Sequence, residues 1–142
     1  MKIEVQEEWY SPEMCLNNKD KIYVFGDNSM RTGKGGQAQI RGCSNVIGVV
    51  TKKSPSKSDN AFFDDSFDSF DLILNDLKLL YWYHKNKLYD NRTMVFPKDG
   101  LGTGLSELPT RAPFIYKQLS LFLEQFFGVL TAEDGTLYLK ES

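Results

Sequence analysis

The chain has few residues that could bind a metal and no run long enough to cross a membrane. Its 142 residues include two cysteines, Cys15 and Cys43, and one histidine, His84, without any spacing typical of zinc ligands. No apolar run approaches the roughly 18–20 residues that span a bilayer. The N-terminal stretch MKIEVQEEWY has no apolar signal core. We therefore expect a cytoplasmic protein with free thiols, no metal and no membrane partner.

The sequence also lacks a basic excess. Its net charge is −2 and its pI is near 5.4, which argues against a binder of duplex nucleic acid but is compatible with a nucleotide ligand. Lys52, Lys53 and Lys57 lie in a polar loop, residues 51–60, where they either face an anionic ligand or are solvated. The length predicts one domain, residues 1–142, that buries roughly 68–70% of the surface exposed by the unfolded chain.

Strand-like and helix-like patterns alternate along the chain. The predicted strands cover residues 2–6, 22–25, 46–50, 93–96 and 136–139. The predicted helices cover residues 37–41, 67–85 and a last stretch that begins at Ser106 or Glu107 and ends at Gly128. This order predicts an α/β fold with a mixed, largely parallel central sheet between helices, and residues 136–139 as a final edge strand.

A glycine-rich segment follows the second predicted strand. The apolar run of residues 22–25 breaks at Gly26 and leads through Asp27 and Asn28 to Gly33-Lys34-Gly35-Gly36, where a short helix containing Gln37 is predicted to begin. Glycines let backbone N–H groups approach a ligand, and a helix start adds unpaired donors and the positive end of the dipole. The segment therefore predicts an anion site, most often a phosphate site.

A second glycine cluster follows the fourth predicted strand. That strand stops at Pro97, and the cluster contains Gly100, Gly102, Thr103 and Gly104 before an amphipathic helix. Ligands of parallel sheets bind beyond the carboxyl ends of the strands, so the two clusters are expected to form one cleft. The alternative is that both clusters are only tight turns.

Two common phosphate-loop templates do not fit. The nucleotide-triphosphatase loop requires Ser or Thr after its lysine, but Gly35 follows Lys34, and Gly26 lies too far upstream. The dinucleotide fingerprint matches Gly33-x-Gly35-x-x-Ala38. However, seven residues separate Phe25 from Gly33, and no acidic residue ends a second strand about 20 residues further on.

The two segments together resemble a known family. A strand ending in Gly-Asp-Asn, then Gly-x-Gly-Gly opening a short helix with alanine, resembles the first half of a macrodomain. The later Val95-Phe96-Pro97 with its glycine cluster and amphipathic helix is similar to that family's second phosphate loop. The match covers residues 22–126 in motif order and is similar to compact members encoded by tailed phages and bacteria. It implies a three-layer sandwich, located in the host cytoplasm if phage-encoded.

The resemblance implies a ligand of the ADP-ribose class, free or attached to a macromolecule, and no cofactor. The ligand-binding residues it implies are Asp27, Asn28, Gly33, Lys34, Gly35, Gly36, Gln37, Gly100, Gly102, Thr103 and Gly104. Hydrolysis of an ADP-ribosyl linkage would need a general base or a nucleophilic lysine. The candidates are Asp27, Lys34 and Asp99, with Lys98 beside them.

Two other function classes stay open at this point. The chain could be a non-catalytic interaction module of the phage type, which kept the fold, lost the ligand and binds a host protein. It could also be a different nucleotide enzyme on a related α/β sheet.

Overall fold

Four strands form the central sheet of the computed structural model, which describes residues 1–141. They are β1 (Lys2–Gln6), β2 (Lys21–Asn28), β3 (Val46–Lys52) and β4 (Thr93–Pro97). They lie in the order β1-β4-β2-β3, and every neighbouring pair is parallel. The predicted α/β class and the largely parallel sheet are confirmed.

Four α-helices connect and cover the strands. They are α1 (Pro12–Asn17), α2 (Phe67–Lys85), α3 (Leu108–Arg111) and α4 (Pro113–Phe127). Short 3₁₀ helices occupy Gly36–Ile40, Asp59–Ala61 and Lys87–Tyr89. Of the helices in this part of the chain, none is both long and apolar enough to cross a bilayer.

Side chains alternate between the two faces of the sheet along its inner strands, and both faces are buried. On β2, Val24 belongs to a core that includes side chains of α2 and α4. Tyr23 and Phe25 point the other way and join Cys15 of α1 and Ile40 of the 3₁₀ helix. Helical segments therefore lie on both faces, and the strand ends are left free for a site.

Three elements differ from the prediction. The last helix is interrupted at Ala112, whose φ of −142° and ψ of 65° are not helical, because Pro113 disfavours the helical conformation in the residue before it. Residues 12–17, for which no helix was predicted, form α1, which starts at Pro12 and is capped by the hydroxyl of Ser11. Strand β2 does not break at Gly26, since Gly26 pairs with Val49 and the ladder continues to Asn28.

The prediction that residues 136–139 form the final edge strand of the sheet is also wrong. Residues Leu137–Leu139 form a strand, β6, but it pairs antiparallel with β5 (Val129–Thr131) in a separate hairpin. Helix α4 ends at Gly128, which has a left-handed φ of 69°. Strand β5 begins at the next residue, so it is the partner nearest to β6 along the chain.

Candidate functional site

A cleft of about 560 Å³ lies beyond the carboxyl ends of β2 and β4. These strands are neighbours, but the chain leaves them toward opposite faces: Ile40 follows β2 on one face, and α4 follows β4 on the other. Such a divergence opens a crevice in parallel sheets, and ligands bind there.

Both glycine clusters line this cleft. We call residues 32–37 the first glycine loop and residues 99–106 the second. The first loop contributes Gly35, Gly36 and Gln37. The second contributes Asp99, Gly100, Gly102, Thr103, Gly104, Leu105 and Ser106. The structure therefore brings together two segments that are more than sixty residues apart in the sequence.

A smaller cavity of about 180 Å³ adjoins the cleft. It is lined by Asp27, Asn28 and Gly33 and shares Gly35 and Leu105 with the larger space. A Cβ built on Gly35 would lie 3.6 Å from Leu105 Cδ1, so the leucine stands against the first glycine loop between the two spaces.

One of the three loop lysines reaches the smaller cavity. Lys52 is 7% exposed and lines it, whereas Lys53 and Lys57 do not. The Lys52 ammonium donates to the Ser56 carbonyl at 2.7 Å and lies 4.4 Å from the centre of the Phe62 ring. Burial lowers the pKa of Lys52 below its usual value.

The backbone of both loops presents unpaired donors. Within residues 1–141, the N–H groups of residues 33–37 have no hydrogen-bond acceptor, and neither do those of residues 101–106. Most residues of these two runs are exposed or half-buried, so their N–H groups are accessible to solvent or to a ligand. Successive free N–H groups in a concave loop form a site for an anion.

The carbonyl groups of the same loops, by contrast, are largely occupied. In the first loop, Thr32 O accepts from the Asn28 amide at 2.8 Å and Gly33 O accepts from the Arg41 guanidinium at 2.8 Å. In the second loop the donors are Thr103 Oγ1 to Asp99 O, Gln37 Nε2 to Gly100 O, Leu108 N to Gly102 O and Glu107 N to Gly104 O. The loops therefore present more free donors than free acceptors to the cleft, which Asp99 and Asp134 also line.

Gln37 links the two loops rather than pointing freely into the cleft. Its Oε1 accepts from Gly26 N at 2.8 Å, and its Nε2 donates to Gly100 O at 2.7 Å. Both ends of the amide are used, so Gln37 acts as a brace across the base of the cleft. A direct contact between its side chain and a ligand stays a prediction.

The start of the predicted short helix attracts an anion less strongly than expected. It is a 3₁₀ helix of five residues, Gly36–Ile40, and its N-cap Gly35 makes no side-chain hydrogen bond. A macrodipole needs several aligned turns, so the attraction for an anion rests on the individual N–H groups.

The three predicted catalytic residues are not assembled in one place. The Asp27 side chain is 3% exposed, and its carboxylate accepts from Asn28 N, Arg31 and Arg41. Lys34 is exposed and lines neither cavity. Asp99 is exposed and lines the cleft. Of these three residues, only Asp99 lines the larger space.

Two other predicted residues, Asn28 and Lys98, also make defined contacts. Asn28 shapes its own loop, because its Oδ1 accepts from Met30 N at 3.0 Å while its amide donates to Thr32 O. Lys98 pairs with Glu7 at 3.2 Å across the surface, an exposed contact of little energetic weight.

Sequence reasoning missed three residues at the rim. Trp9 is 58% exposed and lines the cleft, as do Asp134 and Thr136 of the turn between β5 and β6. Hydrogen bonds from Thr136 lower the pKa of the Asp134 carboxyl. The available sequence signal for Trp9 was its position just before the start of a helix. The Asp134-Gly135 pair does indicate a turn, but no local signal places that turn at the cleft.

The chain belongs to the DUF7831 family, a family of unknown function, whose model matches residues 5–121. No curated protein and no solved structure matches it. The matched range contains both glycine loops and Trp9 and ends before the hairpin of β5 and β6.

Proposed function

We propose that this member of the DUF7831 family is a macrodomain-like protein that binds ADP-ribose or a related nucleotide with two phosphates. One observation carries the proposal: residues 35–37 and 102–106, which belong to two runs of unpaired backbone N–H groups, line a single cleft. Each run suits one phosphate group, and a diphosphate can contact both.

The remaining lining suits the rest of a nucleotide. The volume of about 560 Å³ falls within the range of small-molecule sites. Trp9 offers an exposed aromatic face on which a base can stack, and Asp99 and Asp134 offer acceptors for hydroxyl or amino groups.

The glycines themselves support a ligand at the loops. Gly100 and Gly102 have positive φ and no room for a Cβ, so the fold alone requires glycine there. Gly35 and Gly104 are different: neither has a positive φ, and a Cβ would meet only Leu105 at 3.6 Å or nothing within 4 Å. Glycine at these two positions is explained by close approach of a ligand to the backbone.

The test is a thermal-shift series with ADP-ribose, NAD, ATP and AMP on the wild-type protein and Gly35→Glu. A ligand at about 100 times its dissociation constant adds roughly 2.7 kcal/mol of stability. We expect the largest upward shift with ADP-ribose and none with Gly35→Glu, because the carboxylate adds bulk and negative charge at the N–H groups.

Two controls complete the design. Gly35→Ala should keep the fold, since its φ of −81° suits alanine and its Cβ makes an ordinary contact, and it should weaken binding less than Gly35→Glu because it adds only a methyl group and no charge. Asn75→Glu adds the same charge on the exposed side of α2 and should keep binding. A wild-type protein that no nucleotide stabilises at millimolar concentration would refute the proposal and favour an interaction module.

A further inference from the structure

The side chain of Arg41 donates hydrogen bonds to the backbone of the first glycine loop. Its Nε donates to Gly33 O at 2.8 Å, and its Nη2 donates to Thr32 O at 3.2 Å. The same Nη2 makes an ion pair with Asp27, and the guanidinium lies 5.5 Å from the centre of the Phe25 ring. Arg41 is thus held by a buried carboxylate and an aromatic ring while it holds two consecutive carbonyl groups.

These hydrogen bonds determine where the N–H groups of the loop point. In a planar trans peptide, the C=O of one residue and the N–H of the next point in opposite directions. Arg41 draws the carbonyls of Thr32 and Gly33 toward itself, so the N–H groups of Gly33 and Lys34 point away from it. Gly33 has a φ of +88°, which lets the chain hold this orientation without strain.

The electrostatic consequence favours an anion. A carbonyl oxygen turned toward a phosphate would repel it, whereas the carbonyls of Thr32 and Gly33 are engaged by Arg41. The charge of Arg41 is matched by Asp27, whose side chain is 3% exposed. Its main contribution to the site is therefore the direction of the loop dipoles rather than its own positive charge.

We propose that Arg41 is a positioning residue for phosphate recognition, with Asp27 as the anchor that holds it in place. The inference rests on the proposed nucleotide function. It gives Asp27 a supporting role behind the loop in place of a contact with the ligand. Arg41 stands just after the 3₁₀ helix, so a loop and the residue that orients it lie within ten residues of each other.

The experiment compares Arg41→Met and Arg92→Met. Methionine keeps an unbranched apolar stem but removes every donor. Arg92 also lies near an aromatic ring, at 5.9 Å from the centre of Tyr89, and lines neither cavity, so it is the matched control. Dissociation constants for ADP-ribose and for adenosine are measured by calorimetry, and backbone ¹⁵N order parameters of residues 33–36 are measured without ligand.

We expect Arg41→Met to weaken ADP-ribose binding at least about tenfold, which corresponds to about 1.4 kcal/mol, while adenosine binding and Arg92→Met stay unchanged. The order parameters of residues 33–36 should fall from near 0.85 to below about 0.6 in the ligand-free variant. Lost affinity with unchanged order parameters would show that Arg41 contacts the ligand directly and would overturn the positioning role. Unchanged affinity in a folded variant would overturn it too.

A second variant covers a failure of Arg41→Met to fold. Arg41→Lys keeps the charge beside Asp27, but a compact ammonium cannot reproduce the planar fork that spans two carbonyls. We expect it to fold, with an intermediate loss of ADP-ribose affinity; wild-type affinity in this variant would contradict the inference. If the wild-type protein binds no nucleotide, the proposed function fails, and the order parameters still test the orientation of the loop by Arg41.

Discussion

In the first glycine loop, a Cβ added to Gly33 or Gly36 would meet its nearest atom at 3.5 or 3.7 Å, an ordinary contact distance. In the second loop, a Cβ on Gly102 would lie 2.9 Å from Leu108 Cδ2, and one on Gly100 would collide with the carbonyl oxygen of Gly135. The first loop is exposed and held by polar side chains. The second is partly buried and held by packing.

This difference separates two ways of presenting backbone donors to a ligand. A loop held by Arg41 and Asn28 depends on a few hydrogen bonds, so single side-chain changes should loosen it without disturbing the core. A loop wedged between α3 and the hairpin of β5 and β6 shares the stability of the whole domain. Substitutions in the second loop should therefore act on folding first, and those in the first loop should act on binding first.

The largest effect is expected for Gly100→Ala. The substitution forces a Cβ against backbone at a φ of +91°, so strain and overpacking add to about 3 kcal/mol of lost unfolding free energy. Urea denaturation measures it. Gly42→Ala is the matched control, because Gly42 has a φ of +101° but no atom within 4 Å of the added Cβ, and about 1 kcal/mol is expected. Equal losses for the two variants would contradict the packing account of the second loop.

An intermediate effect is expected for Asp27→Asn. The variant removes the charge that anchors Arg31 and Arg41, but both arginines keep access to solvent, so about 2 kcal/mol of stability should be lost. The first loop contains trypsin sites after Arg31 and Lys34, and cleavage there should become faster than in the wild-type protein. A cleavage rate equal to that of the wild type would show that side-chain anchors do not hold the first loop.

The smallest effect is expected for Gly104→Ala. Gly104 belongs to the second loop, but it is exposed, has no positive φ and would place its Cβ in open space. The free energy of unfolding should change by no more than about 0.5 kcal/mol in the same urea experiment. A loss as large as that of Gly100→Ala would mean that none of the glycines of the second loop can accept a side chain. Packing would then explain all of these glycines.

Local patterns were sufficient for the long elements. The spacing of Ile73, Leu77 and Leu80 predicts a helix over residues 67–85, and α2 has these limits, with Ser66 as its cap. The apolar runs of the inner strands were equally clear. Helix α1 was missed although Ser11 and Pro12 are good start signals, because six residues are too few to show a helical period.

The candidate site was predictable only in its backbone. Glycines that follow apolar strands indicate loops at the carboxyl edge of a sheet whatever their neighbours are, and both loops do lie there. The roles of individual side chains were not predictable in the same way. Nothing near Trp9 in the sequence indicates that it lines the same cleft as Gly100, and nothing near Gln37 indicates that its amide joins two loops.

The sequence by itself determined the α/β class, the long helix and the two glycine loops, since these follow from periodicity and from the conformational freedom of glycine. Only the tertiary structure decided which groups face the cleft. Asp27 lies near the carboxyl end of β2 and Asp99 follows β4, yet Asp27 is covered by two arginines while Asp99 lines the cleft. Side-chain direction and ion pairing depend on neighbours supplied by other elements, and a linear pattern does not contain them.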